Sequence, residues 1–357
     1  MKSFGEELLS NNATALGLGG LVSLHRENPS FPLVLNKTSF YASVLSNLVY
    51  GKYRENGRLI YDVRPMLVEG KISLPYHFRI GVRLSEIFNQ NFDVYSETTS
   101  FAGYHYQRHV IGKGGVYRIG INCSKSFLNN KFSCGFEYAK ILGQSLEQWT
   151  FEVLDRNYIT LDTVITGYST HNLKFGVFTD VSFLTIGAIF ENFLTGVINS
   201  KVISHNTIVD SISGLKFNLP QGFGAGIIFN KLTNTKFYLD IFYRNWTKTL
   251  IADTVVTKYQ NSIKYSLALE HWFMESYPLR IGMRYYLSYL RDYQNIPIKE
   301  YALTTGSRIP IANFGAFDYS LELIRRFGKE TKETIARINF SLAFEESWKK
   351  RTRRWGY

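Results

Sequence analysis

The last strand-like run of the chain, residues 334–345, places the strongest constraint on the fold. Its side chains alternate strictly. The even-numbered positions from Ala336 to Phe344 are apolar, whereas Arg337, Asn339 and Glu345 lie among the odd-numbered positions. Alternation with a period of two residues is typical of a β-strand, because successive side chains point to opposite faces. One apolar face and one charged face predict a strand with lipid on one side and a polar interior on the other.

The same pattern recurs from Thr38 onwards, and short polar or glycine-containing turns separate the runs. The clearest examples are residues 77–84, 117–124, 132–139, 183–191, 236–244, 279–288 and 316–323. The runs reach about twelve residues, compared with about five or six for a typical soluble strand. We therefore predict an all-β chain: a transmembrane antiparallel β-barrel of about fourteen strands with an N-terminal plug. A soluble β-sandwich is the main structural alternative.

Three regions are predicted. Residues 1–37 do not alternate and are expected to form a hatch that packs inside the barrel. Residues 38–346 form the barrel, and residues 347–357 form a basic tail on the periplasmic side. The first seven residues lack the apolar core of a secretory signal. The chain is therefore expected to be a mature or truncated form, and a soluble β-rich protein stays open as an alternative.

The composition excludes several classes of function. The formal net charge is +12, but the basic residues are dispersed along the strands, which argues against a nucleic-acid partner. No apolar run reaches the length of a membrane-spanning helix. His105 and His109 have no evident third ligand, so no metal site is expected. Ser124, Ser320 and Ser341 lie on the polar faces of their strands, but none has a histidine in the same or the next run, so we expect no catalytic residues, no cofactor and no enzyme. Residues 112–115, Gly-Lys-Gly-Gly, are predicted as a turn.

The two cysteines lie in one predicted hairpin. Cys123 and Cys134 both belong to the outward apolar sets of their strands. Pairing centred on Leu128 and Asn129 would set them opposite each other. The sequence leaves two alternatives, a cross-strand disulfide or two free thiols in the lipid-facing wall.

The predicted lumen is too wide for its own side chains to fill, so it must hold water, a plug or a ligand. Aromatic residues point inward in the second half of the chain, and arginines lie among them. We predict that this set binds a hydrophobic small molecule, with the aromatic residues as pocket walls and the arginines as headgroup anchors. The set comprises Phe242, Trp246, Trp272 and Tyr286 with Arg244 and Arg284. The alternative is that these residues pack against the N-terminal segment.

Two short motifs resemble a known family. Residues 15–20 with Asn28-Pro29-Ser30 resemble the "GxGG … NPA" start of the long-chain fatty-acid transporter (FadL) family of outer-membrane proteins. Residues 303–310 resemble the "TLGxGxP" turn of that family and of the related PorV-type barrels. Ser30 stands where the family usually has alanine.

The resemblance implies a fourteen-stranded barrel in the bacterial outer membrane, in contact with outer-membrane lipid. An N-terminal hatch would plug the lumen, and hydrophobic molecules would leave sideways through an opening in the wall. The hatch motif carried over to this chain is Gly17, Gly19, Gly20, Asn28 and Pro29. Because PorV-type barrels act as adaptors in protein secretion, a secretion or surface protein is the alternative partner.

Overall fold

The computed structural model describes most of the chain. The described residues are 4–31, 37–53, 56–95, 98–101, 103–128, 131–155, 158–204, 207–252, 254–274, 277–292, 294–311, 315–329 and 331–347. The tail predicted for residues 347–357 lies outside them except for Ser347. No helix among these residues is long and apolar enough to cross a membrane.

Strands dominate the structure, and its helices are short. Among the described residues, the one α-helix is α1, which spans Ala13–Gly17, and 3₁₀ turns are present at Pro75–His77 and Trp246–Lys248. The strands of the first half are β1 Glu6–Glu7, β2 Lys37–Tyr53, β3 Asn56–Ser73, β4 Phe78–Asn89, β5 Phe92–Tyr95, β6 Thr99–Phe101, β7 Tyr104–Phe127, β8 Phe132–Val153 and β9 Tyr158–Val181. The others are β10 Leu184–Phe193, β11 Gly196–Ser204, β12 Thr207–Asn218, β13 Gly222–Leu232, β14 Thr235–Arg244, β15 Leu250–Ile251, β16 Thr254–Val255, β17 Ser262–Met274, β18 Tyr277–Arg291, β19 Pro297–Ile311, β20 Gly315–Phe327 and β21 Thr331–Ser347.

The strands form one closed antiparallel barrel. Some strands of the wall are interrupted, and the successive pieces together form one strand of the wall. The pieces that belong together are β4 to β6, β10 with β11, β12 with β13, β14 with β15, and β16 with β17. The last strand pairs with the first long one along its whole length, from Lys37 opposite Ser347 to Tyr53 opposite Thr331. This pairing closes a wall of fourteen strands. The predicted barrel is confirmed, and the sandwich alternative is wrong.

The polarity of the two faces of the wall is the reverse of that in a soluble protein, with apolar side chains outside and polar ones inside. In β21, Ile338 and Phe340 point outward and are 40% and 41% exposed, whereas Arg337 and Asn339 point inward and are 6% and 0% exposed. In β4, Val82 is 57% exposed and the neighbouring Arg83 is 1% exposed. The apolar side chains therefore form the outer surface, as a lipid-facing wall requires.

The two ends of the barrel differ in height. We call the end that carries Lys37 and Ser347 the terminus end and the opposite end the loop end. β7, β8 and β9 are the tallest strands and extend furthest at the loop end.

The prediction of a turn at residues 112–115 is wrong, because β7 runs straight through them. Gly112 lies against the ring of Phe92, so a larger side chain would collide there.

The hairpin of β7 and β8 corrects the predicted cysteine register. Phe127 pairs with Phe132, so the connection is four residues long and includes Leu128 at a positive φ of 52°. Cys123 consequently lies opposite Phe136, and Cys134 opposite Lys125. Both cysteines are free, and Cys123 is exposed on the outer wall. Of the two alternatives, the structure has the free thiols.

Residues 4–31, which we call the inner segment, lie inside the barrel. Nearly all of them are buried, including apolar Leu18, Leu21 and Leu24 and polar Asn28. The helix α1 begins after Asn12, whose side chain accepts a hydrogen bond from the backbone N–H of Ala15 at 2.9 Å. This is the N-cap arrangement that favours helix initiation. The inner segment therefore fills the middle of the lumen.

Candidate functional site

Glycines of the wall make room for the inner segment. At seven inward positions, an added Cβ would lie against this segment, because its backbone and side chains approach the wall there. These positions are Gly135, Gly176, Gly187, Gly224, Gly226, Gly282 and Gly306. At Gly187 the added Cβ would lie 2.6 Å from the carbonyl oxygen of Ser23, and at Gly306 3.3 Å from Cα of Gly17. Glycine allows this close approach because it has no side chain.

The residues of the predicted hatch motif lie at these contacts. Asn28 donates from Nδ2 to the carbonyl oxygens of Val177 at 3.3 Å and Ala188 at 3.0 Å, both in the wall. Its Oδ1 accepts from the N–H of Ser30 at 3.0 Å, and Pro29 packs over Gly135. These bonds fix the turn of the inner segment against β9 and β10.

The glycines of the motif face the opposite wall. Gly19 has a positive φ of 75°, and its N–H donates to Oγ1 of Thr304 at 3.0 Å. A Cβ at this position would lie 2.8 Å from the carbonyl oxygen of Met283. Gly17 is close to Gly306, and Gly20 has a φ of 78°. A larger side chain at Gly19 would therefore be both strained and too close to the wall.

Acidic side chains of the inner segment pair with cations of the wall. The carboxylate of Glu27 lies 2.7 Å from Arg118 and 3.3 Å from both Arg83 and Lys174. Burial alone would raise the pKa of Glu27. The three cations lower it by a larger amount, so that the net pKa lies well below its usual range. Asp240 of the wall accepts from the N–H of Ser23 at 2.8 Å. The inner segment is thus held by charges as well as by shape.

Two predicted ligand residues, Arg244 and Tyr286, bind the inner segment. Arg244 donates to Oε1 of Glu7 and to Glu191, and the hydroxyl of Tyr286 donates to Oε2 of Glu7 at 2.7 Å. The hydroxyl of Ser262 lies 3.4 Å from the same carboxylate. Glu7 therefore occupies a small anion site built from β14, β17 and β18.

Two further predicted residues, Trp246 and Phe242, lie in apolar clusters. Trp246 follows β14 in a 3₁₀ turn and is fully buried, with its ring stacked on Tyr289 at 3.9 Å. It also contacts Phe4 and Phe88, at 6.0 Å and 5.9 Å between ring centroids. Phe242 packs with Val22 and Ile189 in a separate cluster.

The last two predicted residues, Arg284 and Trp272, lie apart. Arg284 pairs with Glu300 at 2.9 Å and Glu322 at 3.1 Å, and it lines a cavity of about 40 Å³ beside Glu7. Trp272 lies near the terminus end and lines a much larger cavity. The six residues therefore do not form one pocket. Most of them contact the inner segment or its partners, as in the alternative interpretation, and their role in ligand binding stays a prediction.

A gap in the wall lies between β3 and β4. The two strands pair only from Leu67 opposite Ser85 to Ser73 opposite Arg79. Beyond Ser85, β4 has a register shift against β7 between Glu86 and Phe88, and Phe88 and Asn89 pair with β1 of the inner segment. Within the described residues, 56–65 of β3 pair only with β2, and Met66 lies at a register shift in that ladder. The upper part of β4 has therefore turned away from its neighbour and into the lumen.

Polar side chains bridge the gap. Nε of Arg64 lies 2.9 Å from Glu86, and Nδ2 of Asn91 donates to Oδ1 of Asp62 at 3.2 Å. Behind them lie Ile87 and Phe88, which are buried in the same aromatic cluster as Trp246. Side-chain contacts, instead of a continuous backbone ladder, close the wall at this point.

Two cavities lie on opposite sides of the inner segment. A loop-end pocket of about 220 Å³ lies above Gly5 and is lined mainly by Phe92, Val94, Val110 and Trp149. The ring of Trp149 lies 5.9 Å from the guanidinium group of Arg108. A terminus-end cavity of about 580 Å³ lies below, and Trp272, His25 and Tyr238 are among its lining residues. The inner segment separates the two.

Neither the acidic residues of the inner segment nor the place of the gap between β3 and β4 follows from the sequence, and the family resemblance predicts only that the wall has an opening. One signal for the gap is present in the sequence, because Glu86 stands at a position where the alternation of β4 predicts an outward apolar residue. In the structure, Glu86, Ile87 and Phe88 are all buried. A second signal was the repeated glycine on inward positions of several wall strands. Neither signal identifies its partner, since the partner comes from a distant part of the chain.

Comparison with solved structures shows a shared fold. The chain is similar to the CymD monoaromatic hydrocarbon channel, with a TM-score of 0.64, 12% identity and coverage of 95% of this chain and 98% of that one. It is similar to the toluene transporter TodX of P. putida, with a TM-score of 0.63, 13% identity and coverage of 96% and 99%. A FadL homologue of Pseudomonas aeruginosa gives a TM-score of 0.63 at 10% identity, with coverage of 96% and 99%. No protein-family model and no curated protein sequence matches the chain. The fold is that of the FadL/TodX-type barrels, as the sequence resemblance predicted.

Proposed function

We propose that this barrel carries hydrophobic small molecules passively across a bacterial outer membrane. The ligand enters at the loop end, passes the inner segment and leaves sideways into lipid between β3 and β4. The gap in the β3–β4 pairing is the observation that carries this proposal. The names of the similar structures, which are channels or transporters for toluene and other monoaromatic hydrocarbons, support the same class of cargo.

A sideways exit suits the distribution of polarity in the lumen. Below the gap, the lumen is filled by buried ion pairs such as those of Glu27 and Glu69, which an apolar molecule would have to disrupt. Beside the gap lie the apolar Ile87 and Phe88, and outside it lies the apolar outer wall. An apolar ligand that leaves through the wall therefore displaces only the polar contacts of Arg64 and Asn91 that bridge the gap, and otherwise stays in apolar surroundings.

The entry point on this route is the loop-end pocket. Phe92, Val94, Val110 and Trp149 give it an apolar lining directly above the start of the inner segment. From there the aromatic cluster of Phe4, Phe88 and Trp246 continues towards the gap. Movement of the first residues of the inner segment, including β1, would connect the pocket with the gap, because β1 pairs with the displaced part of β4.

Glu7 acts in this proposal as an internal stand-in for an anionic headgroup. Its carboxylate occupies the site formed by Arg244, Tyr286 and Ser262. A ligand carboxylate that takes this place would free Glu7 and loosen β1. Arg244 and Arg284 serve as anchors and Phe242, Trp246 and Tyr286 as walls, while Trp272 lies on the terminus side of the inner segment.

The experiment is uptake by a bacterial host whose own channel for the compound is deleted. Expression of the wild-type chain should restore uptake of radiolabelled toluene or oleate. Replacing both Arg284 and Trp246 should abolish uptake, while heat-modifiable migration on a gel reports an assembled barrel. Lys140→Met, on the exposed outer face of β8, is the control and should leave uptake unchanged. Normal uptake in the double variant would remove these residues from the route.

The second candidate function is an adaptor for a secreted or surface protein. The observation in its favour is that polar packing closes the lumen around the inner segment. Affinity purification from cross-linked cells tests this candidate. Stoichiometric recovery of one large periplasmic or surface protein, together with absent uptake of both compounds, would favour the adaptor over the transporter.

A further inference from the structure

The terminus-end cavity has no role in the proposed uptake route. Its volume of about 580 Å³ lies in the range of pockets that hold small ligands. Its upper boundary is the underside of the inner segment, including Leu18, Leu24 and Phe31, and its sides are inward residues of strands β9 to β19. It opens at the terminus end, where Ser182 and Lys236 lie near the ends of the strands.

One side of the cavity is apolar and largely aromatic. Phe31 meets Phe178 edge to face at 5.7 Å between ring centroids, and the ring of His25 lies 4.9 Å from that of Phe31. Ile228 and Trp272 extend this surface towards the opening. Such a surface favours a flat apolar body, because aromatic rings stack or meet edge to face over this range of distances.

The acidic groups on the other side already have partners. Glu270 accepts from the hydroxyl of Tyr238 at 2.6 Å and pairs with Arg280 at 3.1 Å. Asp180 accepts from Oγ1 of Thr185 at 2.5 Å. A cationic ligand would compete with these bonds and would also lie near Lys236.

Two basic groups at the same cavity lack partners within the described part of the chain. His25 is 8% exposed, yet its Nδ1 makes no hydrogen bond there. Lys236 faces the cavity next to Glu270 along the β14–β17 ladder, but no ion pair links it to a described carboxylate. The buried Nδ1 of His25 is unfavourable without a partner, so a ligand oxygen that reaches it is stabilised, whereas the exposed ammonium group of Lys236 supplies a positive charge at the rim.

We propose that this cavity binds an amphipathic monocarboxylate with an apolar body of one or two rings, taken up from the terminus end. The rings lie among Phe31, Phe178 and Trp272, and the carboxylate lies between Lys236 and His25. The site is separate from the loop-end pocket and the gap, so the inference goes beyond the proposed uptake function and does not depend on it.

The test is isothermal titration calorimetry on the full chain in detergent, with 6-bromo-2-naphthoate as the probe. Lys236→Met removes the charge at the exposed rim, and Lys231→Met is the matched control, because Lys231 lies in the same hairpin but not in the cavity lining. A charge-assisted hydrogen bond predicts that Lys236→Met weakens binding roughly tenfold or more. Lys231→Met should bind like the wild type.

A neutral probe separates the carboxylate from the rings. The amide 6-bromo-2-naphthamide should bind the wild type more weakly than the acid does, and Lys236→Met should leave its affinity unchanged. Anomalous scattering from bromine in crystals of the complex should place the rings beside Trp272. Absent saturable binding, equal losses in the two lysine variants, or bromine outside the cavity would each overturn the site.

Discussion

Gly176→Ala tests how the inner segment is held. Gly176 lies in β9 between Gly135 of β8 and Ile189 of β10, so its backbone is fixed on both sides. A methyl group there would overlap Oδ1 of Asn28 and lie 2.9 Å from Cδ of Pro29. Because the neighbouring strands hold the wall backbone in place, the side chain of Asn28 has to move away from the added methyl group. Its two bonds to Val177 and Ala188 would then be lost.

The lost hydrogen bonds set the size and the sign of the change in the free energy of docking of the inner segment. Two hydrogen bonds at about 1 kcal/mol each weaken docking of the inner segment by about 2 kcal/mol. That corresponds to a roughly thirtyfold larger undocked population. The wall itself should not lose stability, because alanine is favoured over glycine in a strand by roughly 0.5–1 kcal/mol. Docking and barrel stability should therefore change in opposite directions.

Hydrogen exchange followed by mass spectrometry measures both quantities in one sample. Peptides from residues 11–31 should exchange roughly thirtyfold faster in Gly176→Ala, while peptides from the barrel strands stay protected. Gly70→Ala is the matched control, because an added Cβ on Gly70 meets nothing within 4 Å. Equal exchange of residues 11–31 in the two variants would refute the argument that wall glycines seat the inner segment.

Three further predictions concern the same elements. Burial lowers the pKa of His25 well below its ordinary value of 6.5, so the docked segment disfavours the protonated ring. Docking of the inner segment should therefore be strongest above pH 6.5 and weaken as the pH falls below it. The measurement is hydrogen exchange of residues 21–31, which should become faster after correction for intrinsic exchange rates. An unchanged corrected exchange rate between pH 7.5 and 5.5 would contradict this. Trp246→Ala removes a fully buried ring stacked on Tyr289, and it should lower the free energy of unfolding by about 3–5 kcal/mol in denaturant titration. A loss below about 1 kcal/mol would place the ring in a loosely packed site. Thiol titration of the unreduced, denatured protein should find both Cys123 and Cys134 reactive, whereas a disulfide would leave neither.

The barrel was predictable because its signal is local. Alternation in a single strand such as β21 gives both the strand and the face of each side chain, and the structure places Ile338 outward and Arg337 inward as expected. The same rule holds in β4 up to Ser85. The number of wall strands then follows from the number of such runs.

The candidate site was only partly predictable because it depends on contacts between distant residues. Alternation correctly gave Arg244 and Tyr286 as inward residues, but it could not show that Glu7 lies between them. Trp246 follows β14 in a 3₁₀ turn, where strand alternation no longer applies. The cysteine register failed for a related reason, since the length of the connection after Phe127 sets the pairing of the whole hairpin.

The gap between β3 and β4 is the centre of the proposed function, and a reversible cross-link across it tests that function most directly. Cysteines at Asp62 and Asn91, whose side chains are in contact, can be introduced after Cys123 and Cys134 are replaced by alanine. Uptake of the hydrophobic compound is then measured in the deletion host before and after reduction. The proposal predicts that the oxidised chain is inactive and that a reductant restores uptake to the level of the cysteine-free protein. Full uptake through the oxidised, cross-linked barrel would contradict a sideways exit at this gap.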